Sequence, residues 1–122
     1  MAHPTMLIGP CFTLALEKPG PLVPARRSPA TFRGWLAAPG EHRIERIELQ
    51  FGPDSFVAPL KRRGDVRRAH PGASTTGFEV RVPLAKIPFE SVIFAVTIDG
   101  ETNFVSTRVH VTKEATFRGP GI

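Results

Sequence analysis

The sequence predicts an all-β chain in which two antiparallel sheets pack face to face. Three observations carry that expectation. Apolar and polar residues alternate with period two in several segments, the spacing of a half-buried strand. Pro and Gly number 13 and 11 of 122 residues, far above average usage of roughly 12%, so turns are many and long helices few. Turn signals return about every 8–12 positions, the rhythm of a sandwich or barrel.

The elements follow in order. Residues 11–17 (CFTLALE) alternate Phe12, Leu14 and Leu16 against Thr13, Ala15 and Glu17, which reads as a strand. Residues 18–29 are proline-rich and favour extended backbone, either a linker or a kinked edge segment crossing between sheets. Residues 30–38 (ATFRGWLAA) form the next strand, with Gly34 marking a bulge or a close backbone approach. Phe32 and Trp35 do not share one alternation there. Pro39-Gly40-Glu41 turns the chain into residues 44–51, where Ile47, Leu49 and Phe51 point one way. Gly52-Pro53-Asp54 ends that strand. Residues 55–61 contain Pro59 and belong at a sheet edge.

Asp65 is placed to cap a short helical turn over Val66-Arg67-Arg68-Ala69, stopped by His70-Pro71-Gly72. Residues 77–84 alternate with Phe78, Val80 and Val82 inward. Residues 91–99 are the most apolar segment and predict a central strand. Asp99-Gly100 is a hairpin dipeptide, and residues 102–111 return antiparallel with Val105, Val109 and Val111 inward. The sum is an immunoglobulin-like sandwich of about seven strands over residues 11–112. An open barrel is the other architecture of this length. Residues 1–10 read as an N-terminal extension and residues 113–122 as a tail.

A length of 122 residues suits one domain, and 41% hydrophobic residues supply one core. One cysteine excludes an intrachain disulfide and a four-cysteine zinc site. Cys11 reads as a small buried hydrophobe in a reducing compartment, with the cytoplasm as the default location. No apolar run is long enough for a membrane-spanning helix. Pro4 and Pro10 interrupt the start as a signal segment, and Pro10 spoils a lipoprotein cleavage site before Cys11.

The chain carries a net charge of +5, which favours anionic partners. Lys61, Arg62, Arg63, Arg67 and Arg68 cluster around Asp65, and Arg26-Arg27 form a smaller group. The first cluster is the candidate anion-binding site, for phosphates or acidic glycans. The plainer reading is a solvated loop, favoured because no aromatic stacking partner lies nearby in sequence. Nucleic acid is the weaker ligand expectation, since the chain has no tyrosine and most phenylalanines fall at inward strand positions.

Several short motifs resemble a known family. Gly34-Trp35 opens a strand, then come Arg63-Gly64-Asp65-Val66, Pro71 and Gly77-Phe78. This order resembles an immunoglobulin-like accessory domain of bacterial proteins, attached to glycosyltransferases and methyltransferases that build surface polysaccharide. In that family the pattern runs Gly-Trp, Arg-Pro-Asp-Val, Pro and Gly-Phe, so Gly64 stands where proline is usual. The resemblance spans roughly residues 32–111. It implies a β-sandwich with a non-catalytic, interaction-type role, and it brings no catalytic residues.

The motif residues also read as folding devices. Trp35 would fill core volume, Asp65 would cap the turn, and Gly77 would let the chain re-enter the sheet beside Phe78. Trp35 as a sugar platform lacks a second ring. Arg63-Gly64-Asp65 matches an adhesion tripeptide, but three residues recur by chance. His3, His42, His70 and His110 are scattered without metal-ligand spacing. Glu45 and Glu48 fall on opposite strand faces, so they form no acid/base pair. No nucleophile elbow, P-loop or dinucleotide fingerprint is present. The expectation is a non-catalytic module without metal or cofactor, binding a protein or adjoining domain. Polyanion binding through residues 61–68 is the alternative.

Overall fold

A computed structural model describes residues 3–24, 28–83 and 91–112. The all-β expectation holds: among the described residues, eleven strands and one short helix form a sandwich-like arrangement of antiparallel sheets. The strands are β1 (Thr5–Ile8), β2 (Thr13–Lys18), β3 (Leu22–Pro24), β4 (Ala30–Pro39), β5 (Ile44–Phe51) and β6 (Asp54–Val57). Then follow β7 (Leu60–Lys61), helix α1 (Gly64–Ala69), β8 (Ala73–Val82), β9 (Ser91–Ile98), β10 (Glu101–Arg108) and β11 (His110–Thr112). One sheet has the order β1-β2-β4-β8-β7 and the facing sheet β10-β9-β5-β6. β3 and β11 pair in parallel as a separate two-stranded unit.

The alternation read in the sequence becomes the core. Leu14 and Leu16 from β2, Phe32 and Leu36 from β4, and Phe78 and Val82 from β8 meet Ile47, Leu49 and Phe51 from β5. Val92, Phe94, Val96 and Ile98 from β9 complete it. Phe32–Phe51 and Phe78–Phe94 pack edge to face across the two layers, with ring centroids 5.5 and 6.0 Å apart. Such pairs add about 0.5–1.5 kcal/mol beyond burial itself. β9 lies between β10 and β5, the central position its apolar sequence predicts. Asp99 and Gly100 both have positive φ, at 51° and 81°, as a two-residue I′ hairpin requires.

The strand count is higher than the sequence suggests. Residues 5–8, read as part of an extension, form edge strand β1 on β2. Residues 102–111 do not run as one strand: β10 ends at Arg108, and β11 leaves to pair with β3. Residues 55–61 make the crossing between sheets, with β6 on one edge and β7 on the other. Of residues 18–29, Lys18 ends β2 in the five-stranded sheet, and Leu22–Pro24 form β3, which pairs with neither main sheet. Arg26-Arg27 and residues 113–122 lie outside the described residues, as does residue 84 at the end of the 77–84 reading.

Two placements overturn the sequence reading. Trp35 is not core: it sits half-buried on the outer face of the five-stranded sheet, one step out of phase with Phe32 and Leu36. Cys11 is exposed, because it lies in the turn before β2 rather than in the strand. Among the described residues, no helix is long and apolar enough to cross a membrane.

Candidate functional site

The five-stranded sheet carries its chemistry on the outer face. Its register sets Ala15, Trp35 and Gly77 side by side across β2, β4 and β8, and Arg33 beside Glu79. A register shift between Leu16 and Lys18 in β2 makes room for Glu17. Bulges re-aim side chains, and this carboxylate turns toward Arg63. The Arg63 Nη1 and Nη2 donate to the two Glu17 carboxylate oxygens at 2.8 and 3.1 Å. The Arg63 Nε and Nη2 donate to Asp65 at 3.0 and 2.8 Å. One guanidinium thus bridges two carboxylates with its side chain only 12% exposed.

Two glycines make that clamp fit. A Cβ on Gly77 would overlap the Cγ of Arg63, so the arginine stem crosses the sheet where β8 has no side chain. A Cβ on Gly34 would run into the Ala15 carbonyl and stand 2.9 Å from the Phe78 ring. Gly34 therefore marks the close backbone approach its sequence position predicts. Gly77 lies mid-strand and serves Arg63, rather than a chain re-entry.

Asp65 does not cap α1. The N-cap is Arg63, without a side-chain cap bond, and Asp65 in the first turn turns back onto Arg63. The hydrogen bonds from Arg63 hold the Asp65 carboxyl well below its ordinary value, at about 2. Of the short motifs singled out in the sequence, Arg63, Asp65 and Gly77 meet in this clamp, and Gly34 and Trp35 stand opposite Phe78 and Gly77 in the sheet register. Arg63 is thus held between Glu17 and Asp65.

The five candidate anion ligands separate accordingly. Arg63 is tied into the clamp, and Lys61 donates to Glu79 at 3.0 Å, which lowers the Glu79 pKa. Arg62, Arg67 and Arg68 are exposed and, among the described residues, have no carboxylate partner. Arg67 and Arg68 border an open hollow with His70, Pro71 and Gly72. The His70 Nδ1 donates to the Val66 carbonyl at 3.2 Å, and its ring lies 4.8 Å from Trp35 at 45°. An aromatic neighbour to the basic turn therefore exists, but it comes from β4, distant in sequence.

A second polar cluster ties the sheets at one corner. The His42 Nδ1 meets Asp99 Oδ2, and Nε2 meets the Pro39 carbonyl, both at 2.8 Å. Asp99 Oδ1 also accepts the Arg43 backbone N–H at 2.7 Å. Both imidazole nitrogens face pure acceptors, an arrangement that only the doubly protonated ring satisfies in full. The hydrogen bond to Asp99 holds the His42 pKa above the ordinary value, with desolvation opposing it and the Pro39 carbonyl helping. Ser74 is close by, but its Oγ accepts the His42 backbone N–H and donates to the Gly40 carbonyl. Ser74, His42 and Asp99 therefore form a staple and not a nucleophile relay, which needs the imidazole on the hydroxyl. Sequence reasoning missed this pair because 57 residues separate its members.

The sheet edges form the third feature. β7 has two residues behind Pro59, β6 has four between Pro53 and Pro59, and β1 has four between Pro4 and Pro10. Short strands and flanking prolines protect such edges from unwanted pairing. β10 is different: eight residues without Pro or Lys, in unbroken register with β9. Phe104 stands on its outer face, 59% exposed, beside buried Ala95 and partly exposed Ile93 on β9. Phe104 was legible as the apolar residue out of phase with Val105, yet the sequence reading passed over it.

Among the described residues, no three His, Cys, Asp or Glu side chains gather as a metal site. No family model, curated protein or solved structure matches the chain.

Proposed function

We propose that this chain is a non-catalytic binding or scaffolding module that takes a protein strand along the open edge of β10. The observation that carries this reading is the contrast between edges: three are short and proline-flanked, and β10 is long, regular and bordered by an exposed phenylalanine. An edge strand offers backbone donors and acceptors for affinity and alternate side chains for specificity. The clustered acids and bases are engaged in clamp and staple, which supports a role without catalysis. The resemblance to accessory domains of surface-polysaccharide enzymes supplies a bacterial setting for this proposal.

Placing a photo-reactive phenylalanine analogue at position 104 in the producing cell tests the reading. A discrete cross-linked adduct is expected from position 104 and none from position 57 on the guarded β6 edge. Absence of any adduct at position 104 would overturn it.

A second reading is favoured by the guanidiniums of Arg62, Arg67 and Arg68, which are exposed, have no carboxylate partner among the described residues and present charge for a polyanion. Heparin serves as the probe. Three charge contacts predict that log affinity falls with log salt at a slope of about −2 to −3. Replacing the three arginines with glutamine should remove that binding while the far-ultraviolet circular dichroism stays unchanged. Undiminished heparin binding by the triple variant rules the reading out.

A further inference from the structure

We infer that β10 pairs antiparallel with β10 of a second copy of this chain, across a two-fold axis at Phe104, fusing two four-stranded sheets into one. The inference rests on the binding-module reading and gives that module its partner.

The hairpin decides which backbone groups are open. Ile98 faces Glu101 across the Asp99-Gly100 turn. In a two-residue I′ hairpin that closing pair exchanges both its hydrogen bonds. Alternation then commits the backbones of Glu101, Asn103, Val105 and Thr107 to β9. The N–H and C=O groups of Thr102, Phe104 and Ser106 point away from the sheet and, among the described residues, are unpaired along the edge. The side chains of these same residues stand exposed on the outer face.

Symmetry then fixes the pairing. A two-fold axis normal to the sheet keeps each face continuous, so outward residues must sit opposite outward residues. Centring it on Phe104 sets Phe104 against Phe104 and Thr102 against Ser106 of the second copy, twice. About six backbone hydrogen bonds close, two for each facing pair. Aromatic pairs and hydroxyl pairs are favourable cross-strand combinations. The hydroxyl row already begins within one copy, where Thr97 and Thr102 share a hydrogen bond of 2.8 Å. Ala95 lies next to Phe104 in the ladder, so an apolar strip runs from Ala95 through both phenylalanines to the second Ala95. Charge does not oppose the register: Arg108 falls opposite Gly100 and Glu101 opposite Thr107. The open edge is thus complementary to itself, and this selects a second copy over an unrelated strand.

Sedimentation velocity on the purified full chain, from about 1 to 100 µM, tests this. A concentration-dependent monomer–dimer equilibrium is expected. Phe104→Lys places like charges face to face and should weaken the dimer at least about tenfold, with unchanged circular dichroism. A cross-link gives an independent readout. Directly opposed, hydrogen-bonded residues have Cα atoms about 5.5 Å apart, within disulfide reach. In a Cys11→Ser background, Phe104→Cys should oxidise to a covalent dimer and Val57→Cys should not. A monomer at the highest concentration, or a dimer that survives Phe104→Lys, overturns the inference. If the chain is monomeric but the photo-adduct from position 104 contains another protein, only the self-pairing fails. If there is neither dimer nor adduct, the binding-module reading fails too.

Discussion

Arg63 shows how one side chain organises a surface. Its guanidinium bonds Glu17 on β2 and Asp65 on α1, and its stem fills the space that Gly77 leaves on β8. Hydrogen bonds to charged groups are worth roughly 1.5–3 kcal/mol each when well shielded, and partial exposure of the carboxylates reduces that. Arg63→Ala should therefore cost about 2 kcal/mol in urea denaturation, with Glu17 left underpaired. Gly77→Ala should cost a similar amount, because the new methyl group displaces the arginine stem. The double variant should lose clearly less than the sum, since both changes break one clamp. Additive losses would mean that Gly77 and Arg63 act separately. The Asp65 carboxyl adds an acid limb. Its pKa is lowered in the folded chain, so its contribution is full above the ordinary value of 3.8 and fades as pH falls through about 2.

Helix α1 explains why some elements were legible and others were not. A helix of six residues is far below the length that is stable alone in water, so it exists by docking. Val66 is its buried residue, and Arg63 and Asp65 fasten its start. The sequence located this turn through Asp65 and the His70-Pro71-Gly72 stop, but it misassigned the function of Asp65. A local cap and a long-range arginine clamp use the same carboxylate, and only the second depends on β2 and β8. β5 and residues 77–82 of β8 were readable from their period-two alternation and β9 from its apolar run. Residues 73–76, which open β8 with ASTT, carry no such pattern and were missed. β1, β3 and β11 are three or four residues long, too short for a period to emerge, and β3 and β11 find each other from opposite halves of the chain. Trp35 was misplaced by its volume, although the phase of Phe32 and Leu36 pointed it outward. Within the candidate site, the basic cluster was visible as composition. Its division into clamped Arg63, paired Lys61 and open Arg62, Arg67 and Arg68 depended on Glu17 and Glu79, which no local spacing links to it.

At the scale of the whole molecule, the two sheets share an apolar core that is indifferent to pH, so the pH response falls to polar groups: carboxylates such as Asp65 shape the acid side, and the corner at His42 acts toward higher pH. Pro39, Gly40 and Ser74 belong to the side of the five-stranded sheet, and Asp99 belongs to the β9–β10 turn of the other. The imidazolium therefore links the layers, and its charge is a condition of the link: a neutral ring could donate to only one of its two acceptors. The groups facing it are the Asp99 carboxylate, the Pro39 carbonyl and the adjacent Arg43 backbone amide, which bonds the same carboxylate. Because the folded pKa of His42 is raised above 6.5, its contribution is complete below that value and is lost as pH rises through the folded pKa. Asp99 is shifted the opposite way, so its share is present above 3.8 and is lost in acid. The melting temperature should accordingly peak in mildly acidic solution and fall by a few degrees toward alkaline pH. Asp99→Asn keeps the shape of the corner but removes the charge that holds the imidazolium. This variant should melt lower at mildly acidic pH and lose most of the alkaline slope. An unchanged slope in Asp99→Asn would assign the pH response to another group and leave the staple a passive contact.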